Sequence, residues 1–486
     1  MNQFIFILSI FVLGLCFSEL LFPELKSIIR YYVSPFIGIG FMSLAVGLLI
    51  VIGSPVTLQK VGIILIGYWL MMYFSLRHSQ CIPTMRRGLF MKSLNQYINI
   101  NIIGVFISYF LIVIIFVFIG KSSTVSDSTQ FEGIGRFLAN GGTIDDQPPL
   151  LSFLLNGRLL VVGAMHCLNR LFGSYSLYAL YPTFHIWFLG FIILSYYSLR
   201  RHLPSNNKIP LLLLLVFIMF LNKSFNYQIY HVHSNGLAMI FCSISIMSLY
   251  LFKKSKNKSW LIFGSFILGI STLIRIDNLI FSIIFFSIAF KIIYYDRRLI
   301  TTMWVIFLII SLPWWLFTLL YTPLKYWHVN AYQIIILITA NVVFAIVSVF
   351  IPKYYAKKLS NFPFLFMIGT ISFVVVMLYQ YPQNVEYAFR YFLFQNLLSQ
   401  NWIFLSFTIL LMTILLPYVA QIDNDIVILP YSILLYISQT FLIVLFSSII
   451  GQPHVASRNL YHIVPLYIFW VFLSFSTVID HSKNNI

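Results

Sequence analysis

About fifteen runs of roughly 20 apolar residues follow one another along this 486-residue chain, leaving no soluble domain of useful size between them. As a helix, such a run is just long enough to cross the ~30 Å hydrocarbon core of a bilayer. The runs lie near the N-terminus to residue 22, then at 32–52, 61–76, 98–119, 175–199, 209–222, 235–252, 260–275, 278–294, 299–320, 333–351, 362–380, 401–420, 427–450 and 460–478. Only 9% of the residues are charged, against roughly 25% in soluble proteins, and 60% are hydrophobic. The expected fold is therefore an all-α polytopic membrane protein. The first run has no basic n-region and no small-residue cleavage site, so it reads as a retained span rather than a signal peptide.

A net charge of +18 would raise the question of nucleic acid in a soluble protein. Here its placement answers otherwise. With the N-terminus outside, the segments 23–31, 77–97, 200–208, 253–258, 291–298 and 353–358 all face the cytosol. Together with Lys483 they hold 20 of the 30 Lys and Arg residues. This is the positive-inside bias, which orients helices and implies no nucleic-acid partner. Cys16, Cys81, Cys167 and Cys242 have no metal-ligand spacing, and a disulfide framework is not expected. Residues 1–97 form a three-span extension ending in the basic loop RHSQCIPTMRRGLFMK, and residues 98–486 form the larger membrane unit.

The same orientation puts residues 121–174 outside as an acidic loop. Asp127, Glu132, Asp145 and Asp146 are four of only 12 acidic residues in the chain. A short helix is expected after Ser128, with Thr129 and Glu132 as a capping box, Phe131, Ile134 and Leu138 on one face, and Gly141-Gly142 as its end. It should lie along the membrane surface. After Asp145-Asp146-Gln147-Pro148-Pro149, a second interfacial helix is expected from about Leu150 to Phe172. Asp145 and Asp146 can serve as caps or as functional carboxylates. Asp127 follows directly on a span and is the carboxylate best placed to meet a lipid-borne substrate.

Outside this loop, Arg275 sits in the apolar run ILGISTLIRIDNLIF, where an arginine needs a polar partner such as Asp277 or a bound anion. Arg458 lies at another outer span end. His231-Val-His233 could contact a sugar or phosphate or hold a divalent ion, although no third ligand is visible. Tyr379, Tyr381, Tyr387, Phe389 and Tyr391 crowd the segment that also carries Glu386 and Arg390. An interfacial aromatic belt is the default reading there.

The loop resembles the polyprenyl-phosphate-dependent glycosyltransferases of the GT-C fold, the protein mannosyltransferase and aminoarabinose transferase group. The matching residues are Asp127, the Gly141-Gly142 end, Asp146-Gln147-Pro148-Pro149-Leu150 and Leu171-Phe172-Gly173. Gly269 to Asp277 is similar to the family's Gly-x-x-x-x-x-Arg-Pro-Glu/Asp, with Ile276 in place of Pro. Arg458-Asn-Leu-Tyr461-His-Ile-Val-Pro465 is similar to its late Arg-Tyr-x-x-Pro, with Asn459 intervening.

The resemblance covers about residues 98–486. It implies a GT-C-like core and transfer of a sugar from a polyprenyl-phosphate donor to a hydroxyl on a lipid, glycan or protein acceptor. The reaction would occur on the outer face of a bacterial inner or plasma membrane. Asp127 would be the catalytic base and Asp146 its partner. Arg275 and Arg458 would hold the donor phosphate, with Asp145, His231, His233, Asp277 and Tyr461 as substrate contacts. A metal requirement stays open. Two other functions compete: a lipid-linked polysaccharide polymerase or ligase, and a lipid or glycan flippase or transporter.

Overall fold

The computed structural model describes residues 2–78, 126–143, 146, 160–173, 187–188, 190–192, 194–195, 197–198, 234–275, 278–321, 331–352, 355, 375–376, 378–380, 382–390, 403–449 and 464–484. These residues are helical apart from short turns, with no strand among them. The helices are α1 (Asn2–Leu21), α2 (Ser27–Val51), α3 (Leu58–His78), α4 (Ser126–Ala139), α5 (Leu160–Leu171), α6 (Ser234–Ser255) and α7 (Ser259–Ile274). They continue as α8 (Asn278–Ile293), α9 (Arg297–Tyr321), α10 (Ala331–Phe350), α11 (Pro382–Arg390), α12 (Ile403–Ile422), α13 (Ile428–Ile449) and α14 (Val464–Asn484). Eleven of the expected runs correspond to α1–α3, α6–α10 and α12–α14. Those at 98–119 and 209–222 lie outside the described residues. By length and composition, Ile29–Val51, Gly236–Ser255 and Arg297–Leu320 are each long and apolar enough to cross a membrane, and among the described residues nine shorter apolar helices accompany them.

In lipid, apolar helices gain little from hiding one another's side chains, so close backbone approach and interhelical hydrogen bonds carry association. The α1–α2 hairpin follows this rule. A Cβ on Gly14 would overlap the Ser34 carbonyl, and one on Gly38 would overlap the Ile10 carbonyl. Small residues at 14, 34 and 38 therefore let the two backbones meet. Pro35, inside α2, cannot donate to the Tyr31 carbonyl, and the Ser34 hydroxyl donates there instead at 2.7 Å. The Pro35 carbonyl in turn accepts from Trp187 Nε1 at 3.1 Å, tying α2 to the helical residues near 187–198.

The first helices are thus packed into the larger unit. Phe36 meets Phe241 of α6, and a Cβ on Gly40 would lie 2.9 Å from Ile270 of α7. Deeper in the bundle, Ser282 of α8 donates to Asn341 Oδ1 of α10 at 2.5 Å, and Asn341 donates back to the Leu279 carbonyl at 2.9 Å.

One end of the bundle gathers basic loops that are far apart in sequence. Asn257 Nδ2 donates to the Glu24 carbonyl at 3.0 Å, and Lys258 pairs with Asp296 at 2.6 Å. Asp296 also caps α9 by accepting from the Leu299 N–H at 3.1 Å. Lys253 pairs with Asp425 and Lys254 with Asp423, while Arg297 donates to the Ile351 carbonyl. The segments assigned to the cytosol by charge (23–31, 253–258 and 291–298) therefore meet at one end, hereafter the basic end. Helices α2, α7 and α9 start there and run to the far end; α6, α8 and α10 return.

Candidate functional site

The far end carries the acidic loop. Asn2, at the start of α1, donates from Nδ2 to the Gly173 carbonyl at 3.3 Å, and Phe6 packs on Phe172 at 5.5 Å. At the other end of α5, a Cβ on Gly47 of α2 would lie 2.8 Å from Leu160. Helix α5 therefore lies across the far ends of α1 and α2, and α4 lies on top of it. Residues 160–169 are buried on every side. The second helix of the loop is thus a packed layer, not one with a single apolar side turned down, and of the expected segment only Leu160–Leu171 is described as helix.

Helix α4 begins at Ser126, which overturns the expected capping box. Thr129 is already inside the helix, and Glu132 does not reach back to it. Instead the Glu132 carboxylate forms an ion pair with Arg170 of α5. The apolar face is as expected: Phe131, Ile134 and Leu138 are buried. The end is a Schellman turn. Gly141 takes φ +87°, its N–H donates to the Leu138 carbonyl at 3.1 Å, and the Gly142 N–H donates to the Phe137 carbonyl at 3.0 Å. Helices α4 and α5 are antiparallel, since Glu132 faces Arg170 while Gly135 presses on His166 and Cys167.

His166 is a buried functional group that the sequence reading passed over, because a lone His in an apolar helix carries no spacing signal. Its Nε2 has no partner among the described residues. Burial, and then the nearby Arg170 charge, lowers its pKa to about 3, so the imidazole is neutral. Burial likewise pushes the Cys167 thiol up. Among the described residues Cys16, Cys167 and Cys242 form no disulfide.

Asp127 lies within α4 rather than in a loop ahead of the helix. Asp146 is exposed. Its Oδ2 accepts from the Thr143 N–H at 2.7 Å and from the Thr143 hydroxyl at 2.8 Å. Those two bonds hold its carboxyl below the usual range and keep it ionised. It is suited to accept a hydrogen bond, and poorly suited to hold a proton. With α4 running away from the Asn2–Gly173 corner, Asp127 and Asp146 lie toward opposite ends of the α4–α5 layer.

Arg275 ends α7. Its backbone is extended (φ −149°, ψ 135°), its N–H donates to the Ser271 carbonyl at 3.0 Å, and the residue is only 5% exposed. This rules out a side chain snorkelling freely to the interface. The next described residue, Asn278, begins α8. Its N–H donates to the Arg275 carbonyl at 3.2 Å and its Nδ2 to the Ser271 carbonyl at 2.8 Å. A buried arginine thus sits at a break between two apolar helices, at the acidic-loop end. Helix α5 packs against both α4 and α7, so it links the element carrying Asp127 to the element carrying Arg275.

Asp145, His231, His233, Asp277, Arg458 and Tyr461 lie outside the described residues. Among the described residues no group of three His, Cys, Asp or Glu side chains could hold a metal ion. Of the aromatic segment, Tyr379, Tyr387 and Phe389 are exposed, with Val385 and Ala388 buried beneath α11. Tyr381 and Tyr391 lie outside the described residues. Fold and composition define a helical membrane protein. No family model, curated protein or solved structure matches the chain.

Proposed function

We propose that this chain is a GT-C-type membrane glycosyltransferase with about fifteen spans. It moves a sugar from a polyprenyl-phosphate donor to a hydroxyl acceptor on the outer face of a bacterial inner or plasma membrane, in cell-surface glycan or lipid modification. The observation that carries the reading is Arg275: a buried guanidinium at a helix break, on the same end as the helical acidic loop. A buried arginine is costly in a membrane protein and marks a place where an anion is handled.

In this reading the acceptor hydroxyl oxygen attacks the anomeric carbon. The bond from that carbon to the phosphate oxygen breaks, and its electron pair leaves on the polyprenyl phosphate. The hydroxyl proton passes to the Asp127 carboxylate, a step worth roughly 10²–10⁴-fold in rate when the base is well placed. Arg275, with Arg458, stabilises the departing phosphate through charge-assisted hydrogen bonds. Asp146, held ionised by Thr143 at the opposite end of the α4–α5 layer from Asp127, accepts a hydrogen bond from a part of the acceptor remote from the attacking hydroxyl.

The test is a reconstituted assay of polyprenyl phosphate release from a polyprenyl-phosphate sugar. Asp127→Asn is expected to reduce turnover at least ~100-fold with donor affinity kept, and Arg275→Gln to weaken donor binding. Full turnover by Asp127→Asn would remove the base assignment. Inability of the wild-type protein to bind any polyprenyl phosphate would remove the function.

A further inference from the structure

Trp314 and Trp315, on the far-end third of α9, are 3% and 1% exposed, and neither indole N–H has a partner among the described residues. An unpaired buried donor costs about 1–3 kcal/mol, so two consecutive ones need a reason. Trp187 donates to the Pro35 carbonyl and Trp304 to Ser348 Oγ at 2.8 Å, while Trp470 Nε1 also has no partner among the described residues; Trp314 and Trp315 differ in being adjacent on one helix.

Counting along the packed helices brings both indoles to the level of the α7–α8 break. Helices α7 and α9 start together at the Lys258–Asp296 pair and run in the same direction. A Cβ on Gly269 of α7 would lie 3.0 Å from the Ile310 Cβ of α9. Counted one turn further along both helices, past Pro313 inside α9, Trp314 comes to the level of Leu273, which is about 3 Å of helical rise from Arg275. Trp315 falls on a different side of α9, the face that carries Trp304 and Ser311. That face packs on α8, because Trp304 stacks on Phe286 at 3.6 Å. Helix α8 runs back from the far end, so Trp315 stands at the level of its first residues, where Asn278 lies. Asn278 is fully buried, and with its Nδ2 committed to Ser271 its Oδ1 has no partner among the described residues.

We infer that Trp314, Trp315 and Asn278 form the floor of an anion site headed by Arg275, which takes the phosphate and first sugar hydroxyl of a lipid-linked donor. The inference rests on the function proposed above. Two indole N–H groups and a guanidinium supply only donors, which matches phosphate oxygens. The Asn278 carbonyl oxygen supplies one acceptor, which matches a hydroxyl beside them.

Trp→Phe variants test this, because they keep the ring and delete the N–H. Binding of polyprenyl phosphate, of polyprenol and of inorganic phosphate is measured on the full chain in nanodiscs, with thermal stability of each variant recorded without ligand. Trp314→Phe and Trp315→Phe are expected to bind polyprenyl phosphate about tenfold more weakly each, with unliganded stability unchanged or raised. Trp187→Phe is expected to lose stability and keep its affinity. Competition by inorganic phosphate against polyprenyl phosphate, with none by polyprenol, would place the contact on the phosphate. Competition by polyprenol alone would overturn the site. Unchanged affinity in both variants, with Arg275→Gln still losing binding, overturns this inference and leaves the proposed function standing. No polyprenyl phosphate binding by the wild-type protein overturns both.

Discussion

Lowering the pH from 7 to 5 should loosen the α4–α5 layer through one side chain, His166. Burial depresses its pKa from 6.5 to about 3. The open or unfolded state therefore takes up a proton that the closed layer refuses. The stability contribution is fully present above about pH 6.5 and is lost as pH falls toward 3. Integrating the linkage between pH 7 and pH 5 gives a loss of about 2 kcal/mol, or roughly 25-fold in the opening equilibrium. The geometry supports the size of the effect. Gly135 of α4 presses directly on the His166 backbone, so the imidazolium could reach water only by separating the helices. Arg170 nearby adds repulsion, and Glu132 on α4 is already engaged with Arg170. Hydrogen exchange of the α4 and α5 amides, corrected for intrinsic rates, reads this opening locally. The wild type should show the acceleration at pH 5, and His166→Leu should not. Equal acceleration in His166→Leu, or none in the wild type, would refute the buried neutral imidazole as the cause.

Three further outcomes are expected. Gly14→Leu or Gly38→Leu should split the α1–α2 hairpin at a cost of roughly 1–3 kcal/mol or more, seen as a lower unfolding temperature in detergent, since each new side chain meets backbone rather than a movable side chain. Arg170→Met should destabilise the α4–α5 layer by about 1–2 kcal/mol in hydrogen exchange by stranding the half-exposed Glu132, and adding Glu132→Gln should recover part of the loss. At the basic end, Asp423 is 8% exposed and holds Lys254. Asp423→Ala should lower thermal stability more than Glu386→Ala, whose pair with Arg390 is 70% and 61% exposed and contributes less than about 1 kcal/mol.

The parts of this protein readable from sequence are those set by neighbours along the chain. Hydropathy over 20 residues placed α1–α3 and α6–α10 within a few residues, because a helix satisfies its own backbone and its length is set by the apolar run. Lys and Arg placement brought the loops at 23–31, 253–258 and 291–298 to one side, and the Glu24, Lys258 and Asp296 contacts join them there. The spacing of Phe131, Ile134 and Leu138 and the following glycines described the buried face and the end of α4. All of these depend on interactions within one or two turns.

Tertiary structure decided what depends on partners far away in the chain. Glu132 looked like a local cap, since Thr129 stands three residues before it. It pairs instead with Arg170, 38 residues on, once α4 settles on α5. No local pattern distinguishes His166 from any polar residue in an apolar helix; it becomes a buried neutral imidazole only because α4, α2 and α7 pack around α5. The glycines at 14 and 38 are unremarkable in sequence and become contact points because two backbones cross there. Arg275 was legible as a residue needing a polar environment, but its burial, and the buried groups of Trp314, Trp315 and Asn278 that have no partner among the described residues, emerge only from the packing of α7, α8 and α9. Local chemistry selects helices and their sides. Which side chains are left inside without water is a property of the assembled bundle.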